Sequence, residues 1–150
     1  MRLVQSAAAR AVRWPLVTSA LHLAIRVLAP RHRVGVLALV LRDGAVLVGS
    51  HVFRPHATTG FLGGWLEAGE DPEVGLRREL DEEIAVRASV GRLLTAGQDA
   101  PGGGPATLSL VYECTIEGDL PALLPFELLS VQWLPVEQAR RVLRPLEVRA

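Results

Sequence analysis

Between residues 72 and 84 the apolar side chains Leu76, Leu80 and Ile84 recur at i, i+4 and i+8. That spacing predicts one buried face of a helix. Asp71 suits the N-cap, because its carboxylate accepts from free backbone N–H groups of the first turn. Pro72 follows at the first helical position, where a missing N–H costs nothing, and Glu73 places negative charge near the positive end of the dipole. Before this helix, Val34 to Leu41 reads as a buried strand, Asp43-Gly44 as a hairpin turn and Ala45 to Ser50 as the returning strand. After it, Ala88 to Thr95 has strand character. Thr107 to Ile116 alternates, with Leu108, Leu110, Tyr112 and Cys114 on one face. Leu128 to Leu134 predicts a further strand, and Val136 to about Leu143 a short helix ended by Pro145. Strands on both sides of a central helix, closed by another helix, fit an α/β chain with a mixed sheet packed between helices.

The first thirty residues follow a different pattern. Leu3, Val4, Ala7, Ala8, Ala11 and Val12 recur at helix spacing with Arg10 and Arg13 between them, and Pro15 breaks or kinks that helix. A second apolar run, Leu16 to Leu28, carries only His22 and Arg26. Its longest uncharged piece falls short of the roughly 20 residues that span a bilayer, and no clear small-residue cleavage site follows it. Pro30 and Arg31 to Arg33 mark a boundary. The expected organisation is an N-terminal helical extension over residues 1–30 and a domain over 31–150. The extension either packs on the domain or in a homodimer, or rests as a basic amphipathic helix on an anionic membrane.

Composition narrows the function. The chain has 150 residues, 49% of them apolar and 21% charged, with a formal net charge of zero. That suits one globular domain with a real core and argues against a nucleic-acid binder relying on bulk positive charge. All 16 basic residues are arginine, which excludes a catalytic lysine and a P-loop of the Gly-Lys-Ser type. The single cysteine, Cys114, forms no internal disulfide and reads as a small core residue; a cytoplasmic setting fits. Charge is segregated. Residues 1 to 42 carry seven arginines and no acid, while residues 67 to 83 carry eight acids against Arg77 and Arg78.

The chemistry gathers on the central helix and the glycine-rich loop before it. Glu79, Glu82 and Glu83 share the stripe beside the apolar one, at i, i+3 and i+4. Like charges at that spacing repel and weaken an isolated helix. A hard divalent cation, which takes oxygen ligands, explains them better than solubility does. From Gly64, five residues lead to Glu70, seven more to Arg78-Glu79, and then an apolar residue and one more to Glu82-Glu83. This run, residues 64–86, resembles the Nudix box, the signature of the Nudix hydrolase family. The flanking strands and Trp133-Leu134-Pro135 extend the likeness over about residues 34 to 144. Two positions depart from the pattern: Ala85 stands where the family usually has Gly, and Leu62 where it usually has Pro. Neither removes a carboxylate.

The resemblance implies a Nudix-like α/β/α sandwich and a metal-dependent hydrolase using Mg²⁺ or Mn²⁺. It implies that Glu79, Glu82, Glu83 and the carbonyl of Gly63 hold the metal, that Arg78 positions the neighbouring glutamate, and that Glu70 and Gly64 support the site. Glu79 is one candidate for the general base. Glu127, six residues before Trp133, stands where family members often carry a late metal contact or the base. The expected reaction is water attack on phosphorus, cleaving a pyrophosphate bond in a nucleoside triphosphate or in a nucleoside diphosphate linked to another moiety. Arg54, close in sequence to the acidic centre, is either a phosphate contact or a solvated arginine, and Phe53, Trp65 and Tyr112 either stack on a base or belong to the core and rim. The alternative is a catalytically relaxed nucleotide-binding or regulatory module of the same fold.

Overall fold

The computed structural model describes residues 15–28, 32–52, 59–99, 107–118, 120 and 128–150, with residues 16 and 99 as backbone only. Two compact units, Met1–Arg31 and His32–Ala150, divide the chain. In the first, helix α1 (Pro15–Leu28) begins on its proline. Val17, Leu21, Ile25 and Leu28 on one side of it, and Leu23 and Val27 on another, are all exposed.

The second unit holds strands β1 (Arg33–Arg42), β2 (Ala45–His51), β3 (Thr59–Gly60), β4 (Arg87–Asp99), β5 (Thr107–Glu117) and β6 (Leu128–Pro135), with helices α2 (Pro72–Ile84), α3 (Val136–Val142) and α4 (Pro145–Val148). The sheet order is β3-β2-β1-β5-β4, and β6 adds to β2. β1 runs parallel to β5, from Arg33 opposite Thr107 to Val40 opposite Cys114. β4 is antiparallel to β5, and β2 is antiparallel to β6. The sheet is therefore mixed, as the element order predicts. The β1–β2 turn has left-handed Asp43 and Gly44, φ 51° and 74°, as a tight hairpin of right-twisted strands requires.

β1 and β2 pair only beside that turn, at Leu41–Val46 and Arg42–Ala45. Beyond it they diverge, and the glycine-rich loop enters the gap. Successive β1 side chains point to opposite faces. Val36, Ala38 and Val40 pack with Leu47, Leu62, Tyr112 and Cys114 against Leu76, Leu80 and Ile84 of α2. Leu37 joins Val46, Val48, Phe61 and Val111 beneath Ala139 and Leu146 of the C-terminal helices. Helices thus cover both faces, giving the α/β/α sandwich.

Two details depart from the pattern reading. β5 is buried on both faces: Tyr112, Cys114 and Ile116 lie toward α2, while Ser109 and Val111 are buried with the opposite parity. Leu108 is left 38% exposed. A fourth helix, α4, follows Pro145 and buries Leu146 and Glu147.

Candidate active site

α2 starts as its sequence dictates. Asp71 Oδ1 accepts from the backbone N–H of Glu73 at 2.9 Å and of Val74 at 3.4 Å. Leu76, Leu80 and Ile84 are fully buried, which fixes the rotation of the helix and aims the glutamate stripe at the loop. Ala85 ends the helix in the left-handed conformation, φ 49°, with its N–H on the Asp81 carbonyl at 2.8 Å. The geometry that favours glycine here is kept by an alanine at a cost of about 1 kcal/mol.

The loop from Phe61 to Leu66 lies antiparallel beside β1, bridged to it at Leu62–Ala38 and Trp65–Gly35. Val36 N–H donates to the Gly64 carbonyl and Ala38 N–H to the Leu62 carbonyl, both at 2.9 Å; Leu66 N–H donates to Val34 at 3.0 Å. Backbone groups of the alternate residues therefore point to the other edge. There, three ionisable side chains replace a neighbouring strand. Phe61 N–H donates to Glu147 Oε1 at 3.2 Å, Gly63 N–H donates to Glu83 Oε2 at 2.8 Å, and the Trp65 carbonyl accepts from Arg78 Nη2 at 3.1 Å. Gly63 sits at φ 127°, where a Cβ would strike the Val36 carbonyl. At Gly64 a Cβ would strike the Glu79 carboxylate. Close approach to the β1 backbone thus requires glycine at Gly63, while the bare Gly64 lets the Glu79 carboxylate lie against the loop. Leu62, in the place where proline is usual, packs in the core facing α2.

Arg78 binds four of the acceptors. Its Nε and Nη2 meet the two oxygens of Glu70 at 2.9 Å each, a bidentate pair. Nη1 donates to Glu79 Oε1 at 2.9 Å and to Glu82 Oε2 at 3.2 Å. The Arg78 guanidinium, helped by the Glu67 backbone N–H, pulls the Glu70 carboxyl down to about 2. The same partner, Glu70 foremost, holds the Arg78 pKa well above its ordinary value. Glu70 therefore stays ionised at neutral pH and ties the 67–70 turn to the helix.

The structure brings Glu70, Arg78, Glu79, Glu83, Gly63 and Gly64 together where α2 meets the loop, and Glu82, its side chain exposed, joins them through Arg78. Two further residues join them unannounced by the box. His51, buried on β2, places Nδ1 3.8 Å from Glu83 Oε1; its signal was a polar residue ending an apolar strand. Glu147 reaches Phe61 from α4, and its signal was Arg144-Pro145 with a glutamate three residues after the arginine, the spacing of a capping box. Trp65 gives its carbonyl to Arg78, but its ring lies on the sheet face opposite α2 by alternation. Trp65 is 44% exposed, and its ring lies under the Arg33 guanidinium, 5.5 Å from the ring centre. Tyr112 is buried in the core under α2, so a stacking role would require that packing to open. Burial, chiefly, raises its hydroxyl pKa. Glu113 is exposed and paired with Arg92 at 2.9 Å. Phe53, Arg54 and Glu127 lie outside the described residues.

The donor set suits a hard divalent cation: three carboxylates and a glycine carbonyl, oxygen throughout. The close seat of Glu79 against Gly64 puts helix and loop donors within one small region. In this arrangement Arg78 Nη1 stands between Glu79 and Glu82, and among the described residues no three acidic or imidazole side chains converge as a formed metal cluster.

Comparison with known proteins agrees with the geometry. A family model of the NUDIX domain matches residues 31–149. A MutT-like protein of Streptomyces ambofaciens is 31% identical over 122 residues, which cover 80% of this chain and 75% of that protein. Among solved structures, a MutT NUDIX hydrolase from Burkholderia pseudomallei superposes with a TM-score of 0.64 at 26% identity, covering 72% of this chain and 86% of that one. A NUDIX hydrolase from Nitrosomonas europaea gives a TM-score of 0.69 at 21% identity, over 79% and 85% of the two chains; at that identity the likeness is one of fold.

Proposed function

Because the chain belongs to the NUDIX family, we propose that this pyrophosphohydrolase cleaves a nucleoside triphosphate, or a nucleoside diphosphate linked to another moiety, by direct water attack on phosphorus. The observation that carries the reading is the Arg78 hub, which joins Glu70, Glu79 and Glu82 beside a loop that Glu83 also binds. A solvated acidic face has no reason to be tied to a glycine bend in this way.

Glu79, Glu82, Glu83 and the Gly63 carbonyl would hold Mg²⁺ or Mn²⁺. When bound, such an ion neutralises diphosphate charge, orients the phosphorus and lowers the pKa of a coordinated water. The chain's own residues supply the rest. Arg78 holds Glu79 and Glu82 in register and keeps positive charge beside them. Glu83 binds the Gly63 N–H and so sets the facing of the loop. Glu79, seated against Gly64, is our candidate for the base that takes a proton from the attacking water; Glu127 is the other sequence candidate. Arg54 and Phe53 are proposed to contact the substrate.

The test is a panel of nucleoside triphosphates and diphosphate conjugates, assayed with and without Mg²⁺ or Mn²⁺, with products weighed after reaction in ¹⁸O water. Metal-dependent release of two phosphorylated fragments or of pyrophosphate, one product carrying ¹⁸O, supports the reading. Saturable binding without turnover across the panel would replace it by a nucleotide-binding module.

For residues 1–30 we propose a separate helical extension that touches an anionic membrane peripherally, supported by the exposed apolar side chains of α1 and by four arginines with no acidic residue. No helix among the described residues is long and apolar enough to cross a membrane. Flotation of the full chain with anionic but not with neutral vesicles is the expected result. Equal behaviour, with a dimer by light scattering, would assign the apolar surface of α1 to a homodimer instead.

A further inference from the structure

We propose that Glu147, with Arg144, is a positioning residue of the hydrolase site: it anchors the Phe61 amide so that Gly63, two residues on, presents its carbonyl at a fixed angle. The inference rests on the metal-dependent reading above.

Glu147 comes from the helix layer opposite α2. Its side chain is fully buried. Oε1 accepts from Phe61 N–H at 3.2 Å and from Arg144 Nη2 at 2.7 Å, and Oε2 accepts from Arg144 N–H at 2.9 Å. Stability alone is a poor reason for this pair, because replacing a buried ion pair with well-packed apolar residues is often neutral or better. Its location gives a better one. Phe61 and Gly63 direct their N–H groups to the same free edge of the loop, and each is met by a buried carboxylate, Glu147 from one layer and Glu83 from the other.

Gly63 needs such restraint. At φ 127° it has no side chain to lock its rotation. Its neighbours Leu62 and Gly64 spend their carbonyls on β1, so the peptide between them is set by what holds the opposite edge. Glu147 is the part of that hold which a metal at Glu83 would leave undisturbed. α4 is thereby a working part of the site.

The experiment measures Mn²⁺ affinity by the electron paramagnetic resonance of free Mn²⁺, together with the amide shifts of Phe61 and Gly63, on the full chain. The variants are Glu147→Gln, Glu147→Asp and the double change Arg144→Met with Glu147→Leu. Glu147→Gln keeps an acceptor for Phe61 N–H and is expected within a few-fold of wild type. The double variant loses the acceptor while keeping apolar volume, and is expected to stay folded, shift the Gly63 amide and bind Mn²⁺ about 10–100-fold more weakly, the range for groups that support metal ligands. Glu147→Asp withdraws the acceptor by one methylene while retaining the ion pair; it carries the same expectation if the double variant fails to fold. A folded double variant, or Glu147→Asp, with wild-type Mn²⁺ affinity and an unmoved Gly63 amide overturns the proposal. So does a wild-type chain that binds no Mn²⁺. A wild-type chain that binds Mn²⁺ but hydrolyses nothing removes the proposed reaction alone, because neither readout uses turnover.

Discussion

Glu83 and Gly63, twenty residues apart, meet through a 2.8 Å hydrogen bond from the glycine N–H to the glutamate carboxylate. Both groups are buried. Glu83→Ala leaves the Gly63 N–H without an acceptor and should destabilise the chain by about 1–3 kcal/mol. Glu83→Gln retains an acceptor and should cost about 1 kcal/mol or less. Urea unfolding of the two variants separates them; equal losses would mean that the bond does not hold the loop.

Arg78 divides its donors among Glu70, Glu79, Glu82 and Trp65. A lysine ammonium is a point charge without the planar fork that this pattern uses. Arg78→Lys should therefore lower kcat/KM by about 10–100-fold, as loss of a group orienting metal ligands does, while the circular dichroism spectrum stays unchanged. Wild-type kinetics in that variant would remove Arg78 from the site.

Ala85 holds a left-handed helix end at φ 49°. A residue with Cβ costs roughly 1–2 kcal/mol there, and glycine gives back about 0.4–1 kcal/mol through its freer unfolded chain. Ala85→Gly should raise unfolding free energy by about 0.5–1 kcal/mol, read as a higher urea midpoint at unchanged slope. A lower midpoint would show that the alanine is unstrained.

The Glu70 carboxyl is held at about 2, below its ordinary 4.5, first by the Arg78 hydrogen bonds and next by the Glu67 N–H. A depressed folded-state pKa stabilises the fold fully above the unfolded value, and that contribution disappears as pH falls through the folded one. The window is thus from about pH 4.5 down to about 2. Glu70→Gln should flatten the stability–pH curve in that window and lower stability at pH 7. A curve parallel to wild type would contradict the pairing.

The α2 stretch was legible because its determinants are local: Asp71 and Pro72 at the start, and Leu76, Leu80 and Ile84 on one turn-spaced stripe, all buried as predicted. The Glu79-Glu82-Glu83 stripe was legible for the same reason. What spacing could not supply was the far end of each contact. Glu147 meets Phe61 across 86 residues, and only the divergence of β1 and β2 opens the edge where they meet. His51 likewise reaches Glu83 through the fold alone. Alternation placed Leu108, Leu110, Tyr112 and Cys114 on one face of β5, but it carried no sign that Ser109 and Val111 are buried on the other. Cys114 is a core residue, as its alternating apolar stretch predicts, and burial pushes its thiol up to about 12, far from a reactive thiolate.

The most direct test of the glutamate site is hydrolysis of the best substrate in the panel, measured against Mg²⁺ concentration for wild type, Glu79→Gln and Glu82→Gln, with folding checked by thermal melting. Both variants are expected to fold and to lose turnover by orders of magnitude, with Glu82→Gln requiring more metal. Folded variants that hydrolyse at the wild-type rate and metal midpoint would contradict this expectation.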